Sequence, residues 1–257
     1  RSAFQQFSGS VYLKNSKIIK FQEDIGADVI SPLDVITMPG DNKNTAQKKW
    51  LTTLKRIKEG LEITKKSTLI GVQQGGRFLD LRKESLLDLL NLNVKYIALG
   101  GLVPTFNKNH NIEFICKVIK QAREIVPTEI PLHLYGGGDP LEIPFYMALG
   151  CDIFDSSSFI HYAQGGWYMT EYGSIKEKRD DYICDCEYCS KSVDDVFADE
   201  VKLAKHNLLT ILKVLKKAKE MKQGGTLKLH LSHIAKIHSE WFPTSFLSKS
   251  LENIDFT

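Results

Sequence analysis

Three cysteines fall within six residues, as Cys184-x-Cys186-x2-Cys189. Thiols so close in sequence cannot pair with one another without strain, and Cys116 and Cys151 stand far off. A tetrahedral metal ion takes four soft or borderline donors, so this turn supplies three and the fourth comes from elsewhere. His206 is one candidate; His230, His233 and His238 are the others, and a free cysteine cluster is the bland alternative. Four protein donors leave no open position for a catalytic water, so such a metal is structural. Two carboxylates also stand out. Asp155 follows the apolar Ile153-Phe154 and precedes Ser156, Ser157 and Ser158. At the end of a strand it suits a nucleophile or general base, or else caps a helix. Asp34, after Leu33, binds a substrate amide or stabilises a turn.

These residues need elements to place them. Short apolar runs recur at Asp28–Ile30, Leu69–Val72, Tyr96–Leu99, Leu132–Tyr135 and Asp152–Phe154. Between them, Trp50, Leu54, Ile57 and Leu61 repeat at helical spacing, as do Ile115, Val118, Ile119 and Ala122. The alternation predicts an α/β fold with a parallel sheet and crossover helices. Each run ends in Gly or small polar residues: Gln73–Gly76, Gly100-Gly101, Gly136–Asp139 and Asp155–Ser158. Ligands of such folds sit at the carboxyl ends of strands, so these endings suggest one pocket, with plain tight turns as the alternative. Five strands are too few for a closed barrel. A TIM-like barrel lacking its first strands leads, and an open doubly wound sheet follows. No GxGxxG or GxxxxGK[ST] supports nucleotide binding.

After Ile160 the alternation stops. A helix is predicted from about Asp195 to Lys222, with Val201, Ala204, Leu208, Ile211, Leu212 and Leu215 on one face. Seven lysines and one glutamate lie between Lys202 and Lys222, a solvated face or a surface for phosphates. The tail from Gly224 holds a strand-like stretch, Leu227–Leu231. The expected domains are 1–160, the barrel core; 161–222, the metal-binding subdomain; and 223–257, a C-terminal segment.

The 257 residues carry 34 Lys+Arg against 31 Asp+Glu, a net charge of +3, with 42% hydrophobic residues. This excludes a polycation, an acidic tail and disorder. No apolar run reaches the ~18 residues of a membrane span. Few, clustered cysteines fit a reducing, cytoplasmic setting. The chain opens Arg1-Ser2-Ala3 and is expected to be part of something longer.

Taken in order, several strings resemble one family. They are Phe21–Gly26, Leu33-Asp34-Val35, Gln74-Gly75-Gly76 with Asp80-Leu81-Arg82, Gly100–Pro104 and His133–Gly136. Gly150–Ser156, Tyr168-Met169-Thr170, the cysteine turn and His206-Asn207 continue the series. Over roughly residues 2 to 215 the chain resembles the tRNA-guanine transglycosylases, the archaeal branch in particular. The resemblance implies a TIM-like (β/α)8 barrel with an inserted zinc-binding subdomain, Zn2+ as the structural metal, and His206 as its fourth ligand. It implies that a tRNA D-loop guanine is exchanged for 7-cyano-7-deazaguanine, a precursor of archaeosine. Asp155 matches the nucleophile and Asp34 the residue that accepts from the base. Gln74 and the Gly101-Leu102 backbone match contacts to its carbonyl edge, and Phe4 the aromatic that stacks on it. A homodimer through the zinc subdomain is implied too. A second aspartate of the family would fall just before Arg1, and its C-terminal RNA-binding domain has no counterpart here. The alternatives are a non-catalytic subunit of a heterodimer and a transglycosylase acting on DNA.

Overall fold

In the computed structural model of this chain, residues 2–6, 9–107 and 111–253 are described, the side chains of 2–6, 9–12, 107 and 251–253 excepted. They form two compact units, residues 1–135 with 151–153, and residues 136–150 with 154–257.

The first unit alternates strand and helix as the apolar runs predict. Antiparallel β1 (Ser2–Gln6) and β2 (Gly9–Leu13) precede α1 (Asn15–Asp24). Then come β3 (Val29–Ile30), α2 (Lys43–Ile63), β4 (Thr68–Leu69), β5 (Gly71–Gln73), α3 (Leu79–Asn91) and β6 (Ile97–Leu99). After them follow α4 (Val103–Asn107), α5 (Ile112–Ile125) and β7 (Leu132–Leu134). β3 pairs with β4, and β6 with both β5 and β7, all in parallel. The run Leu69–Val72 breaks at Ile70, where the chain changes partner. Ile70 N–H donates to Ile30 O, and Gly71 N–H to Tyr96 O. Val72, Ile97, Ala98, Leu99, Leu132 and Leu134 are wholly buried. Helices cover both faces of a parallel sheet, which is why these strands read as unbroken apolar runs. The helical repeats turn to the core: Trp50, Leu54 and Ile57 on α2, and Ile115, Val118, Ile119 and Ala122 on α5, are buried, whereas Leu61, the last of the α2 repeat, is only half-buried.

Between β3 and α2 the chain, residues 31–38, belongs to no ladder. Its polar groups are met by side chains instead. Leu33 N–H donates to Asn15 Oδ1 at 2.9 Å, and Arg56 donates to Leu33 O at 2.7 Å. Val35 N–H donates to Thr53 Oγ1 at 2.8 Å. A second anchor lies at the strand ends. Arg82 is 0% exposed, and its guanidinium donates to Gly76 O, Gln73 Oε1 and Gly100 O at 2.7, 2.9 and 3.2 Å. Burial pulls its pKa down to about 9, so it remains a cation at neutral pH, held by oxygen dipoles.

The second unit contains α6 (Ile143–Ala148), the end of β8 (Ile153–Phe154), α7 (Ser158–Gln164), and the hairpin β9 (Tyr168–Thr170) and β10 (Gly173–Ile175). α8 (Val193–Ala198), α9 (Glu200–Gln223), α10 (Leu227–Trp241) and α11 (Phe246–Asn253) follow. Three expectations are corrected here. The single helix from Asp195 to Lys222 is two, because the Asp199 side chain accepts from Lys202 N–H at 2.9 Å and caps a new start. The inward face of α9 is Leu203, His206, Asn207, Thr210, Ile211, Val214 and Ala218, whereas Val201 and Leu212 are 62% and 52% exposed. Three of those inward residues are polar with specific partners, so apolar spacing misplaces the stripe. Finally, Leu227–Leu231 opens α10, with Leu227, His230, Leu231, Ile234 and His238 inward at helical spacing. No helix among the described residues is long and apolar enough to cross a membrane.

Replacing Arg82 with Met should strand three buried acceptors and cost about 3 kcal/mol of stability, read as a lower urea midpoint. An unchanged midpoint would remove the anchoring role.

Candidate functional site

Asp34 stands in the irregular segment, and Gln74 directly follows β5. The structure brings them together: Gln74 Nε2 donates to Asp34 Oδ2 at 2.6 Å. Gln74 is 0% exposed, and its Oε1 accepts from Thr37 N–H at 2.9 Å and Thr37 Oγ1 at 2.8 Å. Gly101 completes the cluster. Its φ is +69°, and a Cβ there would lie 2.9 Å from Thr37 O and 3.0 Å from Gln74 Oε1, so only glycine fits. Leu102 beside it is buried. Burial raises the Asp34 carboxyl above its ordinary range, against smaller opposing effects of its own backbone amide, Gln74 and Arg56. The result is a carboxylate acceptor adjoining an amide donor, an arrangement that matches a ring edge carrying N–H next to C=O. Phe4 lies on β1 opposite Val11 by backbone register, and its side chain is outside those described. Thr37 escaped the sequence reading altogether, since a lone threonine carries no pattern. Arg82 was visible only as part of a motif.

Asp155 lies in the second unit, just after β8, and is exposed. Its Oδ1 accepts from Gly136 N–H at 3.1 Å. The N-cap position of α7 is Ser157, so Asp155 is not the capping residue. The glycine run and the serine run lock together, because a Cβ on Gly138 would stand 2.0 Å from Ser156 Cβ. Thus the four strand endings associate in pairs within their units, Gln73–Gly76 with Gly100-Gly101, and Gly136–Asp139 with Asp155–Ser158.

The cysteine turn meets α9. Among the described residues, Cys184, Cys186, Cys189 and His206 form the one group that could hold a metal ion, with donor atoms all within 4.8 Å of one another. His206 Nδ1 lies 3.8, 3.5 and 3.4 Å from the three sulfurs in chain order. Its Nε2 faces Met169 O at 2.9 Å, which places the proton there and leaves the Nδ1 lone pair aimed at the sulfurs. Tyr168 stacks on the imidazole at 3.7 Å. Hydrogen bonding from Cys189 pulls the Cys184 thiol well down, the direction that favours a thiolate donor. The other candidate histidines are engaged elsewhere. His238 bonds Tyr172 O and Ser245 Oγ at 2.7 and 2.9 Å, His233 stacks edge-on with Tyr172, and His230 is buried on α10. Asn207 explains its place beside His206: it accepts from Met169 N–H and donates to Phe159 O and Trp167 O. The lysines of α9 are partly neutralised, Lys202 by Asp195, Lys213 by Asp185 and Lys217 by Glu171.

Metal analysis of the purified chain should find one ion per chain. Cys186→Ser should lose it and melt lower, as should the chelated protein; a metal-free protein with the same melting temperature would defeat this. For Asp34 the raised pKa sets a sign. A carboxyl with a higher pKa folded than unfolded favours the fold at low pH and loses that advantage as pH rises. Asp34→Asn keeps an acceptor for Gln74 without the charge. It should therefore melt above the parent at about pH 8, the gap closing towards about pH 4. A gap that widens on acidification would contradict the buried charge.

Residues 2–240 match the profile of the family described as queuine tRNA-ribosyltransferase. The chain is 34% identical over 226 residues to the tRNA-guanine(15) transglycosylase of Methanopyrus kandleri, covering 85% of this chain and 49% of that protein. It is 32% identical to that of Methanosarcina mazei over 86% of the chain and 46% of the relative. It is 30% identical to that of Nanoarchaeum equitans over 95% and 59%. The chain thus spans about half the length of the curated relatives it matches. A match spanning residues 2–240 takes in Asp34, Gln74, Asp155 and all four metal-type donors and leaves one assignment: this chain belongs to the queuine tRNA-ribosyltransferase family.

Proposed function

We propose that this chain carries the base-exchange activity of a tRNA-guanine transglycosylase, replacing a D-loop guanine with 7-cyano-7-deazaguanine. The observation that carries the reading is the Asp34–Gln74 pair, an acceptor and a donor 2.6 Å apart at a strand end. Guanine and its 7-deaza analogues both offer the complementary edge, N–H groups beside a carbonyl. A target guanine must first leave the RNA stack to present it. The Gly101-Leu102 backbone borders its carbonyl edge, and Phe4 is the counterpart that the family resemblance gives for the stacking aromatic.

Asp155 is the nucleophile in this reading. Its carboxylate oxygen bonds to the ribose C1′ as the C1′–N9 bond breaks through an oxocarbenium-like state, and the electron pair leaves with guanine. Guanine takes up one proton. The incoming base then attacks C1′ through N9, breaks the aspartyl ester and gives up one proton, so the exchange is proton-neutral. Two inversions retain the configuration. The hydrogen bond from Gly136 aims the carboxylate without burying it.

We assign the Cys184, Cys186, Cys189 and His206 group to a structural Zn2+. Three sulfurs and one imidazole are a donor set for tetrahedral zinc and fill its shell, so the ion fastens the turn to α9. The exposed Lys205, Lys216 and Lys219 then suit tRNA phosphates. The larger architecture we infer from the family is the TIM-like barrel, with residues 161–222 as the zinc-binding subdomain and 223–257 as its C-terminal continuation.

The test is labelled guanine exchange into tRNA by the full-length protein. Asp155→Ala should lower the rate on the order of 10⁴-fold or more. Unimpaired exchange in that variant would remove the nucleophile, and absence of exchange in the parent protein would remove the activity.

A further inference from the structure

We propose that Thr37 is the positioning residue that fixes which end of the Gln74 amide faces the base, and so makes the site select a 6-oxo over a 6-amino purine. This rests on the guanine reading above and adds a residue to it.

Hydrogen-bond polarity fixes the amide. Gly75 and Gly76 are each followed by a turn into α3, and their backbone N–H groups point at Thr37 Oγ1, at 3.3 and 2.8 Å. Backbone N–H groups only donate. Both acceptor directions of the hydroxyl are thereby filled, and its single proton has one outlet, Gln74 Oε1 at 2.8 Å. Thr37 N–H reaches the same oxygen at 2.9 Å. The amide oxygen now has both lone pairs engaged, and the NH2 end turns to Asp34. Reversing the amide would set NH2 against both the Thr37 N–H and the Thr37 O–H, donors against donors, in a pocket where Thr37 and Gln74 are both 0% exposed. An unpaired buried donor costs about 1–3 kcal/mol, so the reversed amide is suppressed.

The glycine on the other side closes the arrangement. A Cβ on Gly101 would come within 2.9 Å of Thr37 Oγ1 and 3.0 Å of Gln74 Oε1, so only glycine there leaves the hydroxyl and the amide oxygen in place. The site accordingly offers one fixed donor beside one acceptor. A 6-oxo purine meets the donor with its carbonyl. A 6-amino purine meets it with another donor and leaves both unpaired.

The experiment compares equilibrium binding of guanine and 2,6-diaminopurine to the full chain and to Thr37→Val and Thr37→Ser, with thermal melts of each. Valine keeps the shape and loses the hydroxyl. The preference for guanine should fall about tenfold in Thr37→Val, the effect of roughly one hydrogen bond, and stay within about threefold in Thr37→Ser. If Thr37→Val does not fold, Thr37→Ala carries the same expectation. A hydroxyl-free variant with the parental preference would overturn the proposal. So would equal weakening of both bases, which marks a purely structural role. If the parent chain itself binds no guanine, the base reading falls first, and this with it.

Discussion

The site depends on how a stretch of backbone without a ladder is kept rigid. Residues 31–38 carry Asp34 and Thr37 but belong to no strand or helix. Buried backbone groups must find partners somewhere, and here those partners are side chains from distant elements. Asn15 comes from α1, Thr53 and Arg56 from α2, and Gln74 from the end of β5. Each is a polar residue spent on a neighbour's backbone. A carboxylate on a loose loop would sample many positions; Asp34 is pinned on both sides, at Leu33 and at Val35. The raised pKa of Asp34 is the electrostatic counterpart, since a half-buried carboxylate is held where burial disfavours its charge.

The second unit solves a different problem. Its small core around Tyr168, Cys189, Val196 and Leu203 is joined to the four-donor group. His206 and Asn207 sit side by side on α9 with divided work. One offers a ring nitrogen to the sulfurs, and the other ties the β9 backbone and the first turn of α7 to the helix. Each bonds to Met169, one at its carbonyl and one at its amide. The hairpin strand is thus read from both polar groups of one residue.

Much of this was legible from the residues alone, and the failures have causes. Each of the five apolar runs falls on strand, with Leu69–Val72 divided between β4 and β5; β5, β6 and β7 are buried on both faces and so have no polar alternation to confuse the reading. The four donors follow from the cysteine motif and the family resemblance, which also singles out Asp34 and Gln74 separately; their hydrogen bond to each other is visible only in the structure. The face of α9 was misjudged because His206, Asn207 and Thr210 are inward for their hydrogen bonds, which no hydrophobic count registers. Leu227–Leu231 misled for the opposite reason: a short apolar run has no period of its own until its helical neighbours are included. Thr37 left no signal, since its importance lies entirely in what it touches.

The contact between Gly138 and Ser156 limits how this protein could be retuned. Two chain segments approach so closely there that neither admits a larger side chain without pushing the other aside. Asp155 is the immediate neighbour of Ser156, so any such shift drags the carboxylate with it. These two loops are therefore free to diverge only in concert.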